Sequence, residues 1–251
     1  MQTCTITIDG KTIEVDPEQT VFEAARQHGV RIPALCSHEA LAPYGACRLC
    51  IVEVELSGKQ QIMASCTTRV REGMLVKTDT GKLRQIRATL VELLLKRAPH
   101  APVVQKLARD MGVGGEAITA GQENLCILCG MCVRVCRDIV GADALGFVHK
   151  GALREVAVPF FRDSQECVGC GACVFVCPTG HIRMQDAAVR GPEPDERVME
   201  TWQTRLELQQ CSTGGRAFAT KRLLEHAAQG RETAEGFRDT CPRCRTMSRK
   251  P

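Results

Sequence analysis

Sixteen cysteines in a 251-residue chain fall at short, fixed spacings, and the thiolate is the side chain that binds soft metals most readily. The stretch CILCGMCVRVC places Cys126, Cys129, Cys132 and Cys136 within eleven positions. CVGCGACVFVCP repeats the pattern 41 residues later with Cys167, Cys170, Cys173 and Cys177, followed by Pro178. Each copy is C-x2-C-x2-C-x3-C. Three thiolates at i, i+3 and i+6 are wound tightly enough to hold three corners of a [4Fe-4S] cubane, and in two-cluster ferredoxins the fourth serves the other cluster. The spacing therefore predicts cluster A on Cys126, Cys129, Cys132 and Cys177, and cluster B on Cys167, Cys170, Cys173 and Cys136. Gly130, Gly169 and Gly171 suit a backbone that must turn sharply beside sulfide, and Pro178 suits the turn after the last cysteine. Zinc knuckles separate their C-x2-C pairs by a longer spacer, so two complete copies of this run favour iron. Iron changes oxidation state where zinc does not, and the chemistry implied is electron transfer.

A looser set precedes the repeat: Cys36-x10-Cys47-x2-Cys50-x15-Cys66. Four thiolates on two irons make a [2Fe-2S] site, with a four-cysteine zinc site as the alternative. Gly45 and Ala46 are small enough to admit the backbone to a cluster. His38 is expected at the surface or beside the ligands, and Cys4, alternating within a strand, as a small buried hydrophobe. Near the C-terminus, QQCSTGGRAF and TCPRCR supply Cys211, Cys241 and Cys244, the halves of a C-x2-C…C-x2-C knuckle in which Gly214 occupies one cysteine position. Three readings stay open for this additional metal site: a third [4Fe-4S] or other iron-sulfur centre with an outside ligand, a zinc site completed by His226, or a vacant remnant in a packing tail.

The bulk properties narrow the class. The N-terminus alternates like a strand and has no apolar leader run, so a reducing, cytoplasmic setting is expected, where clustered thiols signal metal rather than disulfides. No apolar run approaches the roughly 20 residues that span a bilayer. A net charge of +4 with one Trp and one Tyr leaves little for nucleic-acid stacking. No G-x-G-x-x-G or Walker loop occurs, and GVGGEA at Gly112–Ala117 reads as a linker, so no nucleotide is expected on this chain.

The elements that position these cysteines follow from local pattern. TCTITI and KTIEV read as a hairpin about Asp9-Gly10. Thr20 and Glu23 form a capping box for the helix VFEAARQHG, which Gly29 ends. Short strands are expected at CIVEVE and QQIMASC. Residues 83–96 form an amphipathic helix, with Ile86, Leu90, Leu93 and Leu94 on one face and Arg87 and Lys96 reaching water. Pro99 and Pro102 precede a second helix at VVQKLARDMG. The fold class expected is α+β: a β-grasp [2Fe-2S] ferredoxin-like domain over 1–80, a helical spacer over 81–119, a two-cluster bacterial ferredoxin domain over 120–190, and a helical C-terminal tail over 191–251 with the candidate for an additional metal site.

IPALCSHEALAPYGACRLCIVEV, ASCTTRVREGMLVKT, ENLCILCGMCVRVCRDIVG and CVGCGACVFVCPTGHI together resemble the N-terminal iron-sulfur part of the complex I large iron-sulfur subunit. They resemble equally the small diaphorase subunit of NAD-reducing hydrogenases and related formate dehydrogenase modules and iron-only hydrogenases, over roughly residues 3–185. The resemblance implies an electron-transfer subunit without catalytic residues of its own. It implies as partners a flavin/NAD(H)-binding subunit carrying FMN and NAD, a small thioredoxin-like [2Fe-2S] subunit, and a catalytic molybdenum/tungsten, hydrogenase or other acceptor module. Many relatives carry a further cluster bound by one His and three Cys. Here His100 remains but no cysteine follows before Cys126, so that cluster is expected to be missing. A soluble polyferredoxin, a fragment-like reductase and a zinc-binding assembly protein are the competing functional classes.

Overall fold

Cys4, Ile6 and Ile8 point inward from β1 (Cys4–Ile8), which pairs antiparallel with β2 (Lys11–Val15). The link is Asp9-Gly10, with φ of 48° and 82°, the two left-handed residues that a type I′ hairpin demands. These coordinates come from a computed structural model describing residues 3–114, 124–161, 163–230, 232–233 and 236–248. Part of the Gly112–Ala117 stretch and the terminal residues 249–251, which include Arg249 and Lys250, lie outside the described residues. The chain divides into two compact units, Met1–Met131 and Cys132–Pro251.

In the first unit α1 (Val21–Gln27) starts at Thr20, whose Oγ1 accepts the Glu23 amide at 3.2 Å while the Glu23 carboxylate accepts the Thr20 amide at 2.8 Å. That reciprocal box satisfies two amides that a helix start otherwise leaves without partners. β3 (Ile51–Leu56), β4 (Lys59–Ala64) and β5 (Leu75–Lys77) complete a five-stranded sheet ordered β2-β1-β5-β3-β4, with β1 and β5 parallel. Val21, Ala24 and Ala25 of α1 are buried with Ile6, Ile8, Val52 and Val76 in one core. This is the ferredoxin-like α+β arrangement expected, except that β5 carried no sequence signal. It has three residues and one buried side chain, too few for alternation to register. Cys4 is buried in the same core.

Two helices follow, α2 (Gly81–Arg97) and α3 (Pro102–Asp110). On α2 the inward stripe differs from the one expected. Leu83, Arg87 and Val91, four residues apart, are the buried positions, and Leu93 is 57% exposed. Arg87 does not reach water; it is 5% exposed, held inward by partners described below. Lys96 is exposed.

In the second unit α4 (Met131–Arg134) runs into a π-helical turn, Val135–Val140, ended by Gly141 at φ 75°. A small hairpin of β6 (Gly146–Val148) and β7 (Glu155–Ala157) leads to α5 (Ala172–Phe175). β8 (Met184–Ala187), β9 (Glu196–Met199), β10 (Thr204–Gln210) and β11 (Ala217–Thr220) form an antiparallel sheet in the order β11-β10-β9-β8, followed by α6 (Lys221–Ala228) and α7 (Pro242–Ser248). The tail expected as helical is thus sheet first and helix second. β10 alternates cleanly, Thr204, Leu206 and Leu208 buried against exposed Arg205 and Glu207, a period of two that the helical reading of this stretch overlooked.

Replacing Thr20 with Ala removes the reciprocal cap of α1. The expected cost is about 1 kcal/mol, seen as a melting temperature lower by about 2–4 °C for the full chain, with its circular dichroism spectrum unchanged before melting.

Candidate metal centres

The β3–β4 hairpin explains how the most remote of the four N-terminal thiols becomes a neighbour. Ile51 pairs with Ala64, so Cys50, just before β3, lies beside Cys66, just after β4, with their Sγ atoms 3.3 Å apart. Ser65 locks this end by donating both its amide (3.1 Å) and its hydroxyl (2.7 Å) to the Cys50 carbonyl. The other two thiols form a second pair on the irregular loop that precedes β3. Cys47 donates its amide to Cys36 Sγ and Leu35 donates its amide to Cys47 Sγ, each at 3.4 Å. Gly45, at φ 69°, sits where a Cβ would come within 3.3 Å of Thr67 Cγ2, so the left-handed backbone and the tight approach to the Cys66 turn both favour glycine there. Ala46 is exposed.

The electrostatics tie the two pairs into one group. The Cys66 thiol is pushed up first by its hydrogen bond to Cys50, then by burial and by negative charge at Cys50, Cys36 and Cys47. Cys50 takes the opposite share and is lowered to about 6, chiefly by the hydrogen bond from Cys66. Cys47 is raised by its hydrogen bond with Cys36, then by burial. Four thiols this close, three of them buried and Cys47 half-buried, resist full ionisation together, which is the condition that bound cations relieve. Two pairs of sulfur suit two irons taking two thiolates each, so the donor set fits a [2Fe-2S] group. The Nδ1 of His38 accepts the Ala40 amide at 3.2 Å.

Beside this group lies a residue that sequence reasoning assigned to solvent. Arg87 donates Nε–H to the Leu49 carbonyl at 3.0 Å and Nη2–H to the Ile51 carbonyl at 2.6 Å, one on each side of Cys50. Burial pulls its guanidinium below the ordinary value, and negative charge at Asp79 and Cys50 works the other way.

In the second unit Cys167 and Cys170 lie on the loop entering α5, Cys173 lies in α5 itself, and Cys136 lies in the π-helical turn. Burial pushes Cys136 up, its sulfur accepts the Ala144 amide at 3.3 Å, and the charges that raise it further are those of Cys170 and Cys167. Cys173, pushed up to about 12, answers to burial first and then to Cys170, Cys167 and Cys136. Cys136 of the first repeat therefore shares its electrostatic neighbourhood with the thiols of the second. Cys177 has different surroundings: burial pushes it up, but the Thr179 hydroxyl and the amides of Ile182, Thr179 and His181 outweigh that and leave it lowered. Of the remaining repeat cysteines, Cys126 and Cys129 fall in the first unit and Cys132 in the second. The Cys126 sulfur accepts the Leu128 amide at 3.5 Å.

The tail supplies this loop with donors. Arg222 on α6 donates Nη1–H to the carbonyls of Ser164 and Cys167, both at 2.9 Å. Thr220 donates its hydroxyl to the Val168 carbonyl. Arg197 on β9 donates to the Gly169 carbonyl at 2.9 Å and is itself held by both carboxylate oxygens of Asp186, at 2.7 and 2.9 Å. Gly169, at φ 66°, would place a Cβ 2.9 Å from Thr220 Cγ2, so the sheet packs directly on the cysteine loop. No local motif marked Arg197, Thr220 or Arg222. Their partners are 28 to 58 residues away, a separation no spacing rule reaches.

The tail cysteines also converge. Cys211, Cys241 and Cys244 place their sulfurs within 4.8 Å of one another. Cys211 is lowered to about 6 by the amides of Cys241 and Gly214, and Cys244 is raised to about 11, first by its hydrogen bond with Cys241. His226, considered above as a fourth ligand, is not in the group; its Nε2 bonds the Val140 carbonyl at 2.7 Å. His100 is exposed between α2 and α3.

Two stretches of the chain match known families. Residues 1–81 match the 2Fe-2S iron-sulfur cluster binding domain and residues 120–184 the 4Fe-4S dicluster domain. A chain in the crystal structure of a NAD+-reducing [NiFe]-hydrogenase in the H2-reduced state superposes with a TM-score of 0.55 at 30% identity, over 62% of this chain and 75% of that one. The chain belongs to the iron-sulfur module family of complex I and the NAD-reducing hydrogenases. Among curated members, an NADH-quinone oxidoreductase subunit from Rhizobium meliloti is 34% identical over 70% of this chain and 23% of its own length. NADPH-Fe(3+) oxidoreductase subunit alpha of Geobacter sulfurreducens is 35% identical over 74% and 24%. The chain thus spans about a quarter of the length of these members of the module family.

Removing the Arg87 guanidinium as Arg87→Leu leaves two buried carbonyls beside Cys50 without their donors, at a cost of about 1–3 kcal/mol each. The expected result is a lower melting temperature and an altered electron paramagnetic resonance spectrum of the reduced [2Fe-2S] group, with the [4Fe-4S] signals unchanged. Unaltered spectra would separate Arg87 from the site.

Proposed function

We propose that this chain is an iron-sulfur electron-relay subunit of an NAD(H)-linked, multisubunit oxidoreductase. The observation that carries the reading is that the π-helical turn bearing Cys136 packs against α5, which bears Cys173, with Cys136 in the electrostatic reach of Cys167 and Cys170. A crossed set of that kind belongs to paired clusters in one chain, and paired clusters serve as a conduit rather than a substrate site.

On this reading Cys36, Cys47, Cys50 and Cys66 hold a [2Fe-2S] group, Cys126, Cys129, Cys132 and Cys177 hold one [4Fe-4S] group, and Cys167, Cys170, Cys173 and Cys136 hold the other. When bound, these groups supply reversible one-electron chemistry. The chain's own residues hold, shield and bias them. Amides of Leu35, Cys47 and Ala144 donate to sulfur, which favours the more reduced, more negative state. Arg87 places positive charge beside Cys50, and Arg222 beside Cys167. Burial of Cys36, Cys50, Cys66, Cys129, Cys132, Cys167 and Cys173 keeps water from more than half of the ligand residues.

The functional boundaries proposed are the [2Fe-2S] domain at 1–80, the spacer at 81–119, the paired-cluster domain at 120–190 and the tail at 191–251. A relay needs a donor and an acceptor. The names of the relatives support a flavin/NAD(H)-binding subunit on one side and a hydrogenase-type module on the other. A thioredoxin-like [2Fe-2S] subunit next to the flavoprotein and a molybdenum or tungsten module as acceptor are the finer alternatives within the same proposal. No helix among the described residues is long and apolar enough to cross a membrane, and a reducing, cytoplasmic setting suits sixteen free thiols.

Anaerobic purification with partners, followed by iron and flavin analysis, tests the reading: about ten irons per copy of this chain and flavin in the partner are expected, and a preparation without redox-active iron overturns it. Cys136→Ala tests the crossover. It should abolish the group on Cys167, Cys170 and Cys173 and spare the one on Cys126, Cys129, Cys132 and Cys177; selective loss of the latter would reverse the assignment.

A further inference from the structure

The three tail thiols meet as one trio around a single point, unlike the thiols of the proposed clusters. Among the described residues, Cys211, Cys241 and Cys244 are the one group whose ligand atoms all lie within 4.8 Å of one another. The set of Cys136, Cys167, Cys170 and Cys173 does not meet that limit, and the N-terminal four are two separate close pairs. The difference has a chemical meaning. Cubane thiolates each bind a different iron and diverge from the centre. Thiolates that share one ion at about 2.3 Å must lie within about 4.6 Å of one another, and about 3.8 Å apart in a tetrahedron.

We propose that Cys211, Cys241 and Cys244 hold a single zinc ion, not a third cluster, and that this ion fastens α7 to the β10–β11 hairpin. The hairpin turn is already shaped for it. Cys211 accepts the Gly214 and Cys241 amides on its sulfur, each at 3.3 Å, which suits a metal-bound thiolate. Gly214 faces the group: a Cβ there would lie 3.1 Å from Cys244 Sγ and 3.8 Å from Cys211 Sγ. That position leaves the fourth coordination place to a small non-sulfur ligand such as water. The choice of zinc follows from three soft thiolates at single-ion spacing.

The need for a fastener is visible in the packing. None of the described side chains of residues 236–248 is buried, and Met247 is 64% exposed. Among the described residues, Ser212 joins the hairpin to the segment, its amide donating to the Asp239 carbonyl at 2.7 Å and its Oγ lying 3.1 Å from Thr240 Oγ1. A helix of seven residues with so little apolar burial is not stable on that alone. A metal supplies the missing free energy where a small segment lacks a core.

The test is elemental analysis of the full chain, purified anaerobically with its clusters and washed with a weak chelator. One zinc per chain beyond the cluster iron is expected, and Cys244→Ala should lose that zinc with its iron content unchanged. About fourteen irons, zinc unaffected by Cys244→Ala, or no zinc in the wild-type chain overturns the proposal. Should Cys244→Ala be insoluble, zinc-edge X-ray absorption on the wild-type chain decides: about three sulfurs near 2.3 Å with one lighter atom support a three-thiolate site, and an all-light-atom shell sinks it. The relay reading stands or falls separately, on the iron.

Discussion

A loop that turns its amides toward sulfur must turn carbonyls away from it, and a buried carbonyl needs a donor. Both units meet that constraint with arginine. In the first, Arg87 takes the carbonyls of Leu49 and Ile51 on either side of Cys50. In the second, Arg222 takes those of Ser164 and Cys167, and Arg197 takes that of Gly169. A guanidinium suits the task because its fork spans two acceptors at once and it stays charged when buried. The same side chains place positive charge beside groups of thiols whose mutual repulsion opposes binding as thiolates. One interaction thus serves backbone satisfaction and cluster electrostatics together.

The surrounding elements follow from the need to hold those arginines and the cysteine loops at fixed distance. α2 carries Arg87 at the centre of its buried stripe, between Leu83 and Val91, so the cation is set by helix packing and not by a flexible loop. The tail sheet carries Arg197 on β9 and starts α6, with Thr220 as the cap that also serves the Val168 carbonyl. Gly169 allows the contact because any side chain would meet Thr220 and Leu206. The tail is therefore part of the architecture of the second cysteine loop.

Much of the site was legible in the sequence because local spacing carries it. The C-x2-C-x2-C-x3-C repeats, the Asp9-Gly10 turn and the Thr20–Glu23 box depend on residues at most ten positions apart, where covalent geometry limits the outcomes. The errors came where long-range contact chooses between faces. Arg87 reads as a surface residue by its charge, yet carbonyls 36 and 38 residues earlier in the chain draw it inside. The tail reads as helical by composition around KRLLEHAA, while β9 to β11 are short strands that gain their stability from pairing.

What the sequence alone determined is the chemistry: which side chains can bind iron, in what numbers, and which repeat Cys136 is expected to serve, because thiolate count and spacing restrict a ligand set before any fold is known. Tertiary structure alone decided which donors hold the cysteine loops, that Cys50 and Cys66 form one pair and Cys36 and Cys47 the other, and that His226 turns to Val140 while three tail sulfurs converge. Those outcomes rest on sheet register, helix stripe and the satisfaction of buried carbonyls, all of which join residues far apart in the chain.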